Sequence, residues 1–250
     1  MELIILGMIF VLGLCFGSFC NVLIYRLPKN EDFVRTSSHC MTCGHNLKWY
    51  ELIPLVSWMI QGGKCRACGV KLSVQYPAVE AINGLMWLLV GVLYRGDWLT
   101  VALYCALFSL LLVLSVIDWR TFIIPNGINL AILVLGVIRL ATDLQHWLLY
   151  LIGMLAVSVV FLLLHILTGG NGLGMGDVKL VAAAGLLLGW QKMLLAVLIG
   201  SLGGAVIHMI RMRRGAARKL AFGPYLAAGI WIAALAGQQI ISAYLSLYGL

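Results

Sequence analysis

Acidic side chains are scarce in this chain. There are nine among 250 residues, and charged residues of both signs make up only 10%. Soluble domains carry about 25%, so a water-soluble globular domain is excluded. No internal repeat and no low-complexity tract stands out, and no glycine-rich dinucleotide-binding fold is legible. A removable leader is not expected, because the first apolar run, Leu3 to Leu14, continues through Gly17 and Ser18 to Tyr25. That length suffices to cross a bilayer.

What remains is overwhelmingly apolar. Hydrophobic residues make up 62% and the mean hydropathy is +1.02. Lipid offers no partners for free backbone groups, so spanning segments must be helices. The expected fold is an all-α polytopic membrane protein of about eight transmembrane helices, near residues 3–25, 77–94, 99–117, 127–141, 148–167, 178–190, 192–211 and 222–247. The spans near 127–141 and 178–190 are short. The only sizeable polar segment, Arg26 to Tyr76, is expected to form a small zinc-binding cytoplasmic loop domain after the first helix. The expected division is thus 1–25 as the first helix, 26–76 as the loop domain and 77–250 as a second, transmembrane domain.

The net charge of +8 does not argue for nucleic acid, because the basic residues cluster in a few loops. With residues 26–76 placed in the cytoplasm, all of the 17 lysines and arginines except Arg95, Arg139 and Lys192 fall on that side, as the positive-inside rule expects. The stretch Arg211 to Lys219 is expected to meet anionic lipid headgroups.

Two of the few acids, Asp118 and Asp177, stand where apolar runs meet polar loops. A carboxylate beside hydrocarbon is costly and marks a functional-site candidate. Asp118 closes the run Val101 to Ile117, and Asp177 follows the glycine-rich stretch Gly169 to Gly176. Both emerge on the cytoplasmic face in this topology. Asp118 at a helix C-terminus and Asp177 at or near an N-cap would feel opposite helix dipoles, favouring one protonated and one ionised group. Such a pair can activate water, one group taking a proton while the other donates to a carbonyl oxygen. The glycines before Asp177, Gly174 and Gly176 among them, are expected to admit unusual backbone and a close peptide approach. Lys179 either holds the Asp177 turn, binds an acidic substrate side chain or snorkels to the interface.

Four of the seven cysteines form two Cys-x-x-Cys pairs, Cys40 with Cys43 and Cys65 with Cys68. Four thiolates make a closed, structural tetrahedral zinc site; two disulfides or free thiols are the alternatives. His39 and His45 flank the first pair.

At these residues the chain resembles the type IV prepilin leader peptidases, bifunctional peptidase/N-methyltransferases of pilus, type II secretion and competence systems. The resemblance runs from Gly17-Ser18-Phe19-Cys20-Asn21 through the cysteine loop, Ile117-Asp118, Ile124-Pro125-Asn126, Gly174-Met175-Gly176-Asp177 and Phe222-Gly223-Pro224. It covers nearly the whole chain. It implies that Asp118 and Asp177 are the catalytic pair of a Gly-x-Gly-Asp intramembrane aspartyl protease. It also implies cleavage of prepilin or pseudopilin precursors at the cytoplasmic face of the bacterial inner membrane. The freed N-terminal residue, usually phenylalanine, would be methylated by S-adenosylmethionine. Position suggests Gly17, Asn21, Arg26, Glu51 and Glu80 for the methyl donor, Glu80 foremost; the alternative is that Glu80 pairs with Arg26 or simply favours a helix N-terminus. Two departures are Glu51, where an acid or amide varies, and Gln75 in place of a common arginine. The competing reading is a proton-coupled transporter, whose carboxylates would lie nearer mid-span.

Overall fold

The computed structural model describes residues 2–170, 172–213 and 220–247. Nine α-helices occur among them: α1 (Glu2–Arg26), α2 (Val56–Ile60), α3 (Gln75–Leu93), α4 (Trp98–Thr121), α5 (Asn126–Thr142), α6 (Trp147–Leu167), α7 (Met175–Leu188), α8 (Trp190–Arg213) and α9 (Gly223–Ser246). Among the described residues no strand forms, only two isolated β-bridges in the cysteine loop.

Among the described residues six segments are long and apolar enough to cross a membrane: Glu2–Lys29, Gln75–Leu93, Trp98–Thr121, Leu144–Leu167, Trp190–Arg213 and Gly223–Ser246. The sequence called for about eight. The two extra segments do form helices, α5 of 17 residues and α7 of 14. At 1.5 Å per residue, α7 reaches only about 21 Å, short of the roughly 30 Å hydrocarbon core. By length alone neither counts as a span.

The chain divides within α4 into two compact units, Met1–Val113 and Leu114–Leu250. In the first unit α1 packs against α3. Missing side chains make this possible: a Cβ on Gly13 would lie 2.9 Å from the Gly84 Cα, and one on Gly17 would lie 2.7 Å from the Glu80 Cα. Small residues at helix contacts are the usual membrane solution. Asn83 then donates to the Gly13 carbonyl (2.7 Å) and accepts from Ser109 (2.8 Å), so this buried polar group is satisfied.

In the second unit α7 packs against α5 and α6, and α8 against α9. Ten of the 14 residues of α7 are buried. Gly153 of α6 and Gly185 of α7 face each other so closely that a Cβ on either would strike the other's carbonyl. The basic stretch Arg211 to Lys219 is described only as far as Arg213. Within that part Arg211 stacks on Trp119, 4.6 Å from the ring centre.

Candidate aspartate site and cysteine cluster

Asp118 lies in the last turn of α4, which continues three residues past it to Thr121. It thus sits at the helix C-terminus, as its place after an apolar run suggested, although the helix runs a few residues further than the expected span. The Asp118 carboxylate accepts a hydrogen bond from the Gly223 backbone N–H (2.9 Å) at the start of α9. That donor is 105 residues away in sequence. Asp118 is only 5% exposed.

Asp177 is the third residue of α7, in the first turn and near the N-cap as expected; the cap itself is Gly174, with extended backbone at φ −73° and ψ 145°. Asp177 is 8% exposed, and its Oδ1 is buried with no hydrogen-bond partner. The Asp118 charge bears on Asp177 electrostatically. The fold thus gathers two carboxylates from separate helix ends within the second unit.

The glycines of this turn fall into two groups. Left-handed backbone occurs at Gly169 (φ 57°) and Gly170 (φ 79°), but Gly174 has negative φ and Gly176 is helical. What matters at the latter two is the missing Cβ. On Gly174 it would lie 3.1 Å from Asp177 Oδ2, and on Gly176 it would lie 2.9 Å from the Ile124 Cβ. Asn171 of this stretch lies outside the described residues.

Three contacts hold the Asp177 turn against α5. Lys179 Nζ donates to Asn126 Oδ1 (2.8 Å), Asn129 Nδ2 donates to the Gly176 carbonyl (3.2 Å), and Ile124 packs on Gly176. Of the readings for Lys179, holding the turn is the one with a partner. Asn129 and Gly223 were not singled out from the sequence. Asn129 carries no local signal, whereas Gly223 lay inside the Phe222-Gly223-Pro224 motif.

The cysteine loop, in the first unit, contains two copies of one knuckle. In each, the N–H of the glycine after the second cysteine donates to the first cysteine's carbonyl: Gly44 to Cys40 and Gly69 to Cys65, both 2.9 Å. Both glycines have φ 71°, a conformation that suits a residue without Cβ. The bridges His39↔Asn46 and Lys64↔Lys71 close the two turns. The four Sγ atoms lie within 4.8 Å of one another, Cys40 and Cys68 at 3.9 Å. Tetrahedral thiolates at about 2.3 Å from a zinc ion stand roughly 3.8 Å apart, so the quartet fits a metal. Backbone N–H groups of Cys43 and Thr42 pull the Cys40 thiol down to about 6. At Cys43 the His45 N–H also lowers, but burial and the neighbouring thiols outweigh it and raise that thiol to about 11. The histidines stay outside the quartet: His39 meets the Ser37 carbonyl and His45 meets Glu51.

The five candidates for the methyl donor separate into two groups. Gly17, Asn21 and Glu80 share the α1–α3 seam. Asn21 donates to the Tyr76 carbonyl (3.1 Å) and accepts from Gln75 (3.4 Å). Glu80 accepts from the Leu55 N–H (2.8 Å) and from Ser18. Leu55 has φ 61°, a strained value for a residue with a side chain. Arg26 and Glu51 instead build the loop. Arg26 grips the carbonyls of Asp32, Thr36 and Ser37 at 2.7–3.1 Å, not Glu80. Glu51 accepts from the Lys48 N–H (2.9 Å) and meets His45 (3.3 Å). The Lys48 bond, followed by His45, holds the Glu51 carboxyl below its ordinary range.

A family model of the bacterial peptidase A24 N-terminal domain matches residues 11–94, and one of the type IV leader peptidase family matches residues 105–209. The prepilin leader peptidase/N-methyltransferase of Stutzerimonas stutzeri is 35% identical over 266 residues, covering 94% of this chain and 92% of the relative. The chain belongs to the prepilin leader peptidase/N-methyltransferase family. The protein of the same name from Pseudomonas aeruginosa is 35% identical over 96% of this chain and 93% of the relative. That from Bacillus subtilis is 35% identical over 97% and 98%. No solved structure matches the chain.

Proposed function

We propose that this protein is a prepilin leader peptidase and N-methyltransferase that cleaves precursor pilins or pseudopilins with Asp118 and Asp177. The observation that carries this is the convergence of two buried carboxylates from α4 and α7, in a chain of this family. One carboxylate takes a proton from water while the other donates to the scissile carbonyl oxygen, and the two titrate as a unit. The Gly223 N–H orients Asp118, while Lys179, Asn126, Asn129 and Ile124 fix the turn that carries Asp177. The unpartnered Asp177 Oδ1 is the atom left for water or substrate. Both carboxylates lie in a terminal turn rather than mid-helix, which does not favour the transporter reading.

The chain works as a multi-pass protein of the bacterial inner membrane, with α5 and α7 completing about eight crossings. Both aspartates face the cytoplasm, membrane lipids surround the helices and nucleic acid is not a partner. Residues 1–25 act as a membrane helix, 26–76 as a cytoplasmic zinc loop and 77–250 as the peptidase. One zinc held by Cys40, Cys43, Cys65 and Cys68 staples the loop, which is too small to hold itself together by burial. S-adenosylmethionine supplies the methyl group. Glu80, with Asn21 and Gly17, presents a buried carboxylate suited to a cationic group beside Leu55. Arg26 and Glu51 act as loop scaffolding.

The test is cleavage of a synthetic prepilin by purified wild type, Asp118→Asn and Asp177→Asn, alongside methylation of an already cleaved peptide. Each variant is expected to lose cleavage by at least about 100-fold while still methylating. Substantial cleavage by either variant would refute the assignment.

A further inference from the structure

The cysteine loop carries an apolar surface that neither the metal quartet nor either proposed activity uses. Between its two knuckles run a single 3₁₀ turn, Trp49–Glu51, and the short helix α2. Trp49, Leu52, Ile53, Val56, Met59 and Ile60 are each at least 40% exposed, Trp49 and Ile60 more than 70%. Val56, Met59 and Ile60 share one face of α2 by their spacing of three and four. The only charged side chain in residues 49–60, Glu51, is turned inward and buried. A contiguous exposed patch of this kind marks an interaction surface.

A hydrogen bond fixes the depth of that surface. The Leu55 N–H, in the middle of the segment, donates to Glu80 Oε2 (2.8 Å). Glu80 is the sixth residue of α3, about 7.5 Å along the axis from the first. With 19 residues, α3 is about 28 Å long, barely the thickness of the hydrocarbon core. No turn of it is left to stand clear of the bilayer, so Leu55 is tied at the boundary of headgroups and acyl chains. Amphipathic interfacial segments lie at that depth, about 5–10 Å in. The backbone suits this medium, which offers few partners. The N–H groups of Glu51, Leu52, Leu55, Val56, Ser57 and Met59 all have acceptors inside the chain. Exposed basic side chains flank the segment in sequence, Lys48 before it and Lys64 and Lys71 after it.

We propose that residues 49–60 dip into the bilayer leaflet at the N-terminal end of α3, where the surface is anionic. The six apolar side chains enter the acyl region, and Lys48, Lys64 and Lys71 meet the headgroups. The cysteine loop is thereby held flat on the membrane instead of projecting from it. The flanking positive charge favours an anionic lipid surface over a protein partner.

The experiment uses the full-length, zinc-loaded protein in nanodiscs of phosphatidylglycerol and phosphatidylcholine in equal amounts. A photoreactive benzoylphenylalanine replaces Ile60, or Met59 should the Ile60 substitution cost the loop its metal. A second preparation carries the probe at Leu12, an exposed residue near the middle of α1. After illumination, mass spectrometry of the digested protein identifies what each probe captured. The loop probe should capture phospholipid as the Leu12 probe does, with phosphatidylglycerol in excess. Lys64→Gln should reduce that excess by up to about fivefold, as for one basic contact near a membrane surface. Capture of peptide alone by the loop probe, or of nothing, while Leu12 captures lipid would overturn the insertion. Equal capture of the two lipids, unchanged by Lys64→Gln, would overturn the anionic surface.

Discussion

A single methyl group added at Gly223 tests whether the Asp118 carboxylate is held in place for catalysis. A Cβ built there lies 2.7 Å from Asp118 Oδ2, 3.1 Å from its Cγ and 3.2 Å from Leu114 Cδ2, whereas ordinary contact begins at 3.4 Å. In Gly223→Ala the oxygen must retreat by about 0.7 Å, which stretches the 2.9 Å bond from the Gly223 N–H beyond about 3.2 Å. Hydrogen bonds to charged groups contribute about 1.5–3 kcal/mol, equivalent to roughly 10- to 150-fold in rate. Misplacing a reacting group by about 1 Å costs a similar factor, near 100-fold. The assay is kcat/KM for prepilin cleavage in detergent, with methylation of a pre-cleaved peptide as the check on folding. Gly127→Ala is the control, because a Cβ at Gly127 meets nothing within 4 Å. Cleavage falling in that range for Gly223→Ala, with methylation and the control near wild type, supports the geometry. Cleavage within threefold of wild type would show that the reactive arrangement does not use the Gly223 bond.

Metal analysis should find about one zinc per chain. Cys43→Ser or chelation should remove it and leave the segment 26–76 open to protease, and a metal-free preparation with that loop intact would contradict the staple. Glu51 is a depressed carboxyl, so its contribution is present above its unfolded pKa, about 4.3, and fades as pH falls through the lower folded value. Hydrogen-exchange protection of the loop should fall in that acid window. Glu51→Gln should lose about 1 kcal/mol of protection at neutral pH and flatten the acid dependence. Gly185→Leu should force α7 from α6 and lower the melting temperature, whereas Gly203→Leu, where a Cβ meets nothing within 4 Å, should melt near wild type. Lys179→Met removes the bond to Asn126; cleavage should drop about threefold to tenfold with methylation retained, and an unchanged rate would make Lys179 a bystander.

Some of this was legible along the chain because the signals are local. Long apolar runs require helices in lipid, and each expected span corresponds to a helix, although only six reach spanning length. The Cys-x-x-Cys spacing gave the quartet because the ligands of each knuckle lie within one turn. Scarcity of acids made Asp118 and Asp177 conspicuous before any coordinates. Helix ends were legible only to within a few residues: α4 runs past Asp118 and α7 begins before Asp177.

Tertiary structure alone decided the rest. The donor to Asp118 is a backbone N–H, which has no residue-type signature, and 105 residues separate the partners. The partners of Arg26 and Glu51 were equally hidden, because they include loop backbone atoms that any sequence would supply. Glycines 174 and 176 act by leaving room for Asp177 and Ile124, a requirement that exists only once the helices are packed. Composition and spacing settle which groups a chain owns, but long-range packing settles which of them meet, because contact energies depend on distances that sequence separation does not encode.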